Sequence, residues 1–232
     1  MVRSDNKLLF LGKADDEYCA RAAEFCKSRF ERLTICLGGW GDAFPGEARE
    51  WEGDYIISYL SRWVVPEFLL RQVRKAAINF HPASPAYPGI GCNNFALYED
   101  AREYGVTCHH MAAKVDTGDI IAVRRFPIIP EDNVESLLLR TYENQIALFM
   151  EIAGMIADGK ELPRATEKWT RPPFTRTQFN ELFKITADMS RDEIARRVRA
   201  VSYEEYQPYI EILGYRFVYK SSDNKSGAEQ DN

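Results

Sequence analysis

An α/β fold is predicted: a doubly wound, Rossmann-like, mostly parallel sheet followed by a short C-terminal extension. Three observations point to it. Short apolar runs that end in glycine or a turn alternate with segments of helical period over residues 1–160. That regular alternation stops near Lys160, where prolines and arginines replace it. The composition, 45% hydrophobic and 12% aromatic, is ample for a core in a 232-residue chain.

KLLFLG (7–12) is a buried strand by its apolar run and closing glycine. Residues 15–30 follow with acids first and bases last, as a helix dipole prefers, and Cys19, Ala22, Ala23, Cys26 and Phe30 recur at helical spacing. LTICLGG (33–39) is the second strand, and the glycine- and acid-rich stretch after it reads as a loop. YIISYL (55–60) is the third strand. A helix begins near Pro66, a residue suited to a first helical turn. AAINF (76–80) is the fourth strand, and NNFALYEDAREY (93–104) reads as a helix. GVTCHHMAA and DIIAVRRFPI are two further strands separated by KVDTG (114–118). A long amphipathic helix covers residues 132–158 and stops at Gly159. The expected layout is a core over 1–160, an extension over 161–222 with a helix and a small hairpin, and a polar, disordered tail over 223–232.

Several function classes are disfavoured. A formal net charge of −5 argues against broad nucleic-acid binding, which needs a basic footprint. No segment approaches ~20 apolar residues, so no membrane span is expected, and the first ten residues lack a signal peptide's apolar stretch. The five cysteines form no CxxC pair and are odd in number; they read as buried free thiols in a reducing, cytoplasmic compartment. The turn after the first strand is GKADDE, not G-x-G-x-x-G, and its two carboxylates would repel a pyrophosphate, so a nicotinamide or flavin cofactor is not expected.

The chemistry concentrates in INFHPASPAYPG (78–89). Reactive groups in open α/β sheets gather at the carboxyl ends of strands. Side chains two apart on a strand share a face, so Asn79 and His81 project together and Phe80 turns away. Pro82 biases His81 toward an extended backbone. A second strand ends in a carboxylate–glycine turn carrying Asp116, Thr117 and Gly118.

N-F-H-P, P-x-Y-P-G, G-V-T-x-H-x-M and V-D-T-G-D-I, in this order, resemble the signature of formyltransferases that use 10-formyltetrahydrofolate. The resemblance is strong over residues 55–125 and looser over the rest of the core. It implies a catalytic set of Asn79, His81 and Asp116, with 10-formyltetrahydrofolate as cosubstrate and no metal. It also implies that Arg62, Trp63 and Val64 clasp the pterin, together with the loop through Lys114 and Asp116; core packing of Trp63 is the alternative. His109 aligns with a second family histidine and is expected to support the site wall.

Three acceptor classes compete. The phosphate cradle of the glycinamide ribonucleotide enzymes is missing at GKADDE, and the basic C-terminal barrel of the methionyl-tRNA enzymes is not expected in an acidic chain. K-W-x-R-P-P-F-T-R and R-V-R-A resemble the C-terminal part of the sugar-nucleotide N-formyltransferases, which act in bacterial surface polysaccharide (O-antigen, lipopolysaccharide) synthesis. A GDP- or dTDP-linked 4-amino-4,6-dideoxyhexose is the favoured acceptor, bordered by Tyr87, Gly91 and Asn94, with Trp169 stacking on the base and Arg171 or Arg176 meeting the pyrophosphate. For Trp169 and Arg171 the other reading is packing and surface charge. The family also suggests a homodimer, with the YRFVYK hairpin as contact. A purine-precursor or tRNA enzyme of the same fold, and a non-catalytic folate or nucleotide binder, are the alternatives.

Overall fold

The computed structural model describes residues 3–220, so the tail expected to be disordered lies outside the described residues. Strands β1 (Ser4–Lys13), β2 (Phe30–Gly38), β3 (Tyr55–Tyr59), β4 (Ala76–His81), β5 (Glu103–His110) and β6 (Ile120–Pro127) form one sheet in the order β2-β1-β3-β4-β5-β6. The first four are parallel, whereas β5 and β6 pair antiparallel with their neighbours. The strand order reverses between β1 and β3, which opens a crevice at the carboxyl ends of the strands.

Helices α1 (Glu17–Arg29), α2 (Gly46–Arg49), α3 (Glu67–Gln72), α4 (Cys92–Tyr98) and α5 (Val134–Ala157) connect and cover the sheet. Asp16 caps α1 by accepting from the Cys19 N–H, and Asn133 and Ser136 form a reciprocal capping box on α5. α2 lies in a stretch expected to be loop. α4 stops at Tyr98, well short of the expected helix, because Asp100 takes a left-handed backbone (φ 50°) and the chain then enters β5. None of the described helices is long and apolar enough to cross a membrane.

Strand alternation divides the core. Leu8, Phe10, Ile57, Tyr59, Ile78 and Phe80 face α1 and α5, while Leu9, Leu11, Ile56 and Ala77 face Trp51 and Leu69. Phe149 of α5, fully buried, sits at the centre of the first layer. Its ring lies 5.0 Å from Tyr59, 5.2 Å from Phe80, 6.0 Å from Phe10 and 6.2 Å from Phe25. All four contacts are edge-on or tilted, which favours the ring quadrupoles as well as burial.

Beyond α5 the chain returns across the core before folding into α6 (Arg176–Leu182), β7 (Lys184–Ile185), α7 (Arg191–Val201), β8 (Tyr209–Ile212) and β9 (Tyr215–Val218). The backbone of Phe174 brackets the loop after β4, donating to Pro88 and accepting from Ile90. β7, β8 and β9 form a separate small sheet. The β8–β9 turn is Leu213–Gly214, both at positive φ, as a tight two-residue hairpin of this hand requires.

Phe149→Ala is expected to lower stability by about 3–5 kcal/mol in urea unfolding, the usual cost of deleting a fully buried aromatic ring. A loss below about 1 kcal/mol would show that α5 is not seated through this ring.

Candidate active site

Asn79 and His81 leave the end of β4 on the sheet face opposite Phe80, as strand periodicity requires. The antiparallel register of β5 then sets His109 directly across from Asn79, and Thr107 across from His81. The Phe80 carbonyl, between the two polar residues, accepts a 2.7 Å hydrogen bond from Gln145 Nε2 of α5. Thr107 Oγ1 donates to the Ala83 carbonyl at 2.7 Å and ties down the chain leaving His81.

Asp116 reaches this cluster from the loop between β5 and β6. Its backbone is left-handed (φ 51°), a conformation that Asp tolerates better than most residues. Gly118 makes the loop possible: a Cβ there would lie 1.8 Å from the His110 carbonyl. Asp116 Oδ2 accepts from the Gly89 N–H at 2.9 Å and lies 3.3 Å from His81 Nδ1, while Oδ1 lies 3.4 Å from His109 Nε2. All three side chains are buried.

Hydrogen-bond partners fix the histidine tautomers. His81 Nε2 is 2.9 Å from the Tyr87 carbonyl, which can only accept, so Nε2 carries a proton. Nδ1 is left toward Asp116 and the cleft. His109 Nδ1 likewise donates to the His110 carbonyl at 2.8 Å, so Nε2 accepts from Asn79 Nδ2 at 3.1 Å while the ring is neutral and faces Asp116 Oδ1 as a donor when it is protonated. With His109 neutral, one amide proton of Asn79 is committed to it and the other is available to the cleft. The sequence pointed to His109 as wall support; the structure brings it into contact with both Asn79 and Asp116. Burial pushes the Asp116 carboxyl up, but the charge of His81, the hydrogen bond and charge from His109 and the Gly89 N–H together outweigh it and hold the group at about 2.

A cleft of about 500 Å³ opens onto the cluster. Lys13, Leu60, Asn79, His81, His109 and Asp116 line it, as do Arg62, Trp63, Val64 and Lys114. Trp63 is partly buried: its indole N–H donates to the Asp42 carbonyl at 3.0 Å, and its ring packs edge-on to Phe44 and against Gly38. It therefore both packs and lines the cleft wall. Arg62 and Val64 project at the rim.

The residues expected around the acceptor are not part of this cleft's lining, and each has partners within the protein. Tyr87 is buried, 6.4 Å from the Phe174 ring in a stacked pair, and contributes only its carbonyl to the site. Gly91 adopts φ 69° at the start of α4, under the Phe179 ring that a Cβ would strike. Asn94 is buried and donates to the Ala200 carbonyl at 2.7 Å, joining α4 to α7. Arg171 makes two hydrogen bonds to Glu99 and lies over Tyr87 and Phe174, so its charge is already matched. Trp169 donates its indole N–H to the Gly118 carbonyl at 2.8 Å, and its ring stands edge-on to His109 (5.0 Å) and His81 (5.8 Å). It backs the histidines and steadies the Asp116 loop, as the packing reading of this residue expects.

Because folding lowers the Asp116 pKa to about 2 from an ordinary carboxylate value near ~4, its stabilising contribution is complete above pH ~4 and lost as pH falls toward 2. Comparing acid unfolding of the wild type with Asp116→Asn should show up to about 2 kcal/mol of extra pH dependence in the wild type across that window. Parallel curves would contradict the assignment of an ionised, paired carboxylate.

Residues 42–152 match the model of the formyl transferase family. Methionyl-tRNA formyltransferase of Listeria monocytogenes is 28% identical over 176 residues, a match spanning 66% of this chain and 56% of that enzyme, so the chain covers little more than half the length of this relative. Among solved structures, a 4-N formyltransferase from Francisella tularensis aligns with a TM-score of 0.75 at 16% identity, over 92% of this chain and 96% of that one. An N-formyltransferase from Helicobacter canadensis, solved with folinic acid and dTDP-3-aminofucose, aligns with a TM-score of 0.71 at 21% identity, over 90% and 85%. At these identities the structural likeness is one of fold. The matched residues 42–152 carry the whole Asn79–His81–Asp116 cluster, so the similarity to the formyl transferase family falls on the segment that builds the site.

Proposed function

We propose that the protein transfers a formyl group from 10-formyltetrahydrofolate to the primary amine of a nucleotide-linked amino-deoxy sugar. The observation that carries this reading is the convergence of Asn79, His81 and Asp116 on one cleft, with His81 Nδ1 3.3 Å from Asp116 Oδ2.

The chemistry assigns each group a task. The neutral amine of the acceptor attacks the formyl carbon, a C–N bond forms, and negative charge develops on the formyl oxygen. The uncommitted amide proton of Asn79 is donated to that oxygen, and a protonated His81 adds positive charge beside it. Ionised Asp116 favours that charged imidazole, while the Tyr87 carbonyl holds the ring in place. The intermediate collapses with cleavage of the bond to the donor nitrogen. The acceptor nitrogen loses its proton through water toward Asp116, and the departing donor nitrogen takes one up. Apolar Trp63, Leu70 and Met111 on one wall suit a flat pterin ring, while Lys13 and Tyr142 lie on the α1/α5 side, where the acceptor would approach.

The sugar class is supported by the likeness, over 90% of this chain, to an N-formyltransferase solved with dTDP-3-aminofucose. The methionyl-tRNA reading is kept by the Listeria relative. Within the sugar reading, a GDP- or dTDP-linked 4-amino-4,6-dideoxyhexose for surface polysaccharide is the specific acceptor proposed. The reducing cytoplasm suits five buried, unpaired thiols. The β8–β9 hairpin, with Tyr215 72% and Phe217 56% exposed, is the proposed contact of a homodimer.

Incubation with formyl donor and a panel of amino-sugar nucleotides should give a product heavier by one CO unit. His81→Ala should reduce that turnover by at least ~10³-fold, and Asn79→Ala by ~10²–10³-fold, with folinic acid still bound. Full turnover in His81→Ala would refute the mechanism, and formylation of methionyl-tRNA but of no sugar nucleotide would transfer the assignment.

A further inference from the structure

Residues 165–174 run as a strap over both loops that carry the reactive groups. The Ala165 N–H donates to the Ile120 carbonyl at 3.1 Å, just past the Asp116 loop. The Thr170 N–H donates to the Pro85 carbonyl at 3.2 Å, and the Phe174 backbone pairs with Pro88 and Ile90, so the same strap also holds the loop after β4. Between these anchors stands Trp169, partly buried and outside the cleft lining.

Trp169 makes two kinds of contact that can be separated chemically. Its indole N–H donates to the Gly118 carbonyl, two residues beyond Asp116. That loop is already pressed against β5, since Gly118 leaves no room for a side chain beside the His110 carbonyl. A tether on the Gly118 carbonyl therefore limits how far Asp116 reaches toward the histidines. The indole ring stands edge-on to His109 and His81, an arrangement the ring quadrupoles favour and that resists rocking of either imidazole. The Asp116 oxygens lie 3.3 Å from His81 and 3.4 Å from His109, long for charge-assisted hydrogen bonds, so a small shift of the loop breaks both.

We infer that Trp169 is a positioning residue for formyl transfer. Its N–H sets the reach of Asp116, its ring sets the orientation of His81 and His109, and neither contributes to the affinity for the formyl donor. The inference rests on the mechanism proposed above. Misplacing reacting groups by about 1 Å costs on the order of 10²-fold in rate, so the loss belongs in kcat.

Trp169→Phe keeps a ring and removes the N–H, whereas Trp169→Ala removes both. The expected fall in kcat is about tenfold for Trp169→Phe and about 10²-fold for Trp169→Ala, with calorimetric affinity for folinic acid within about twofold of wild type. In nitrogen-15 spectra Trp169→Phe should shift the His81 Nδ1 and His109 Nε2 resonances, the nitrogens that face Asp116. Trp51→Phe, at a buried tryptophan in the other core layer, is the stability control and should lower Tm without moving kcat or these resonances. Where Trp169→Ala does not fold, Trp169→Phe carries the test. Unchanged kcat and unchanged histidine resonances in Trp169→Phe would overturn the inference, as would a loss of folinic acid affinity as large as the loss of kcat. If the wild type formylates no sugar nucleotide, the acceptor reading fails, and the histidine resonances alone decide this inference.

Discussion

One carboxylate joins the parts of this site. Asp116 accepts from the Gly89 backbone, faces His81 with one oxygen and faces His109 with the other. These partners come from the loop after β4, the end of β4 and the end of β5, so three segments converge on a single buried charge. A buried carboxylate without partners would be costly, and here each partner offsets that cost while being oriented in return. Removing the charge would therefore loosen the geometry of both histidines and, through His109, of Asn79.

The rest of the fold serves this junction. Parallel β1, β3 and β4 bring their carboxyl ends to one crevice, and the reversal at β5 sets His109 opposite Asn79. α5 holds β4 from the far face twice, through Phe149 against Phe80 and through Gln145 on the Phe80 carbonyl. The segment after α5 closes the back of the site. Trp169 stands against both histidines and holds the Gly118 carbonyl, while Phe174 brackets the loop that supplies the Gly89 N–H and the Tyr87 carbonyl. The C-terminal segment is thus part of the site's construction even though its side chains do not line the cleft.

Periodicity and turn residues made most of the architecture legible before any coordinates. The pairing of Asn79 with His81 on one face followed from the two-residue repeat of a strand alone. What could not be read was register and direction. The antiparallel pairing of β5 depends on long-range strand order, and with it went the placement of His109 opposite Asn79. The residues expected around the acceptor lie apart from the cleft lining for a related reason. Proximity in sequence to His81 says nothing of which way a side chain points after a proline-rich turn, and Tyr87, Gly91 and Asn94 turn inward to meet Phe174, Phe179 and Ala200. Arg171 was open to either reading until its bidentate partner Glu99, 72 residues away in the chain, came into view.

The most direct test of the account is nitrogen-15 NMR of the imidazole rings. Neutral His81 should carry its proton on Nε2, held by the Tyr87 carbonyl, with Nδ1 facing Asp116, and Asp116→Asn should shift the Nδ1 resonance. A neutral His81 protonated on Nδ1, or an Nδ1 resonance indifferent to the loss of Asp116, would contradict the account at its centre.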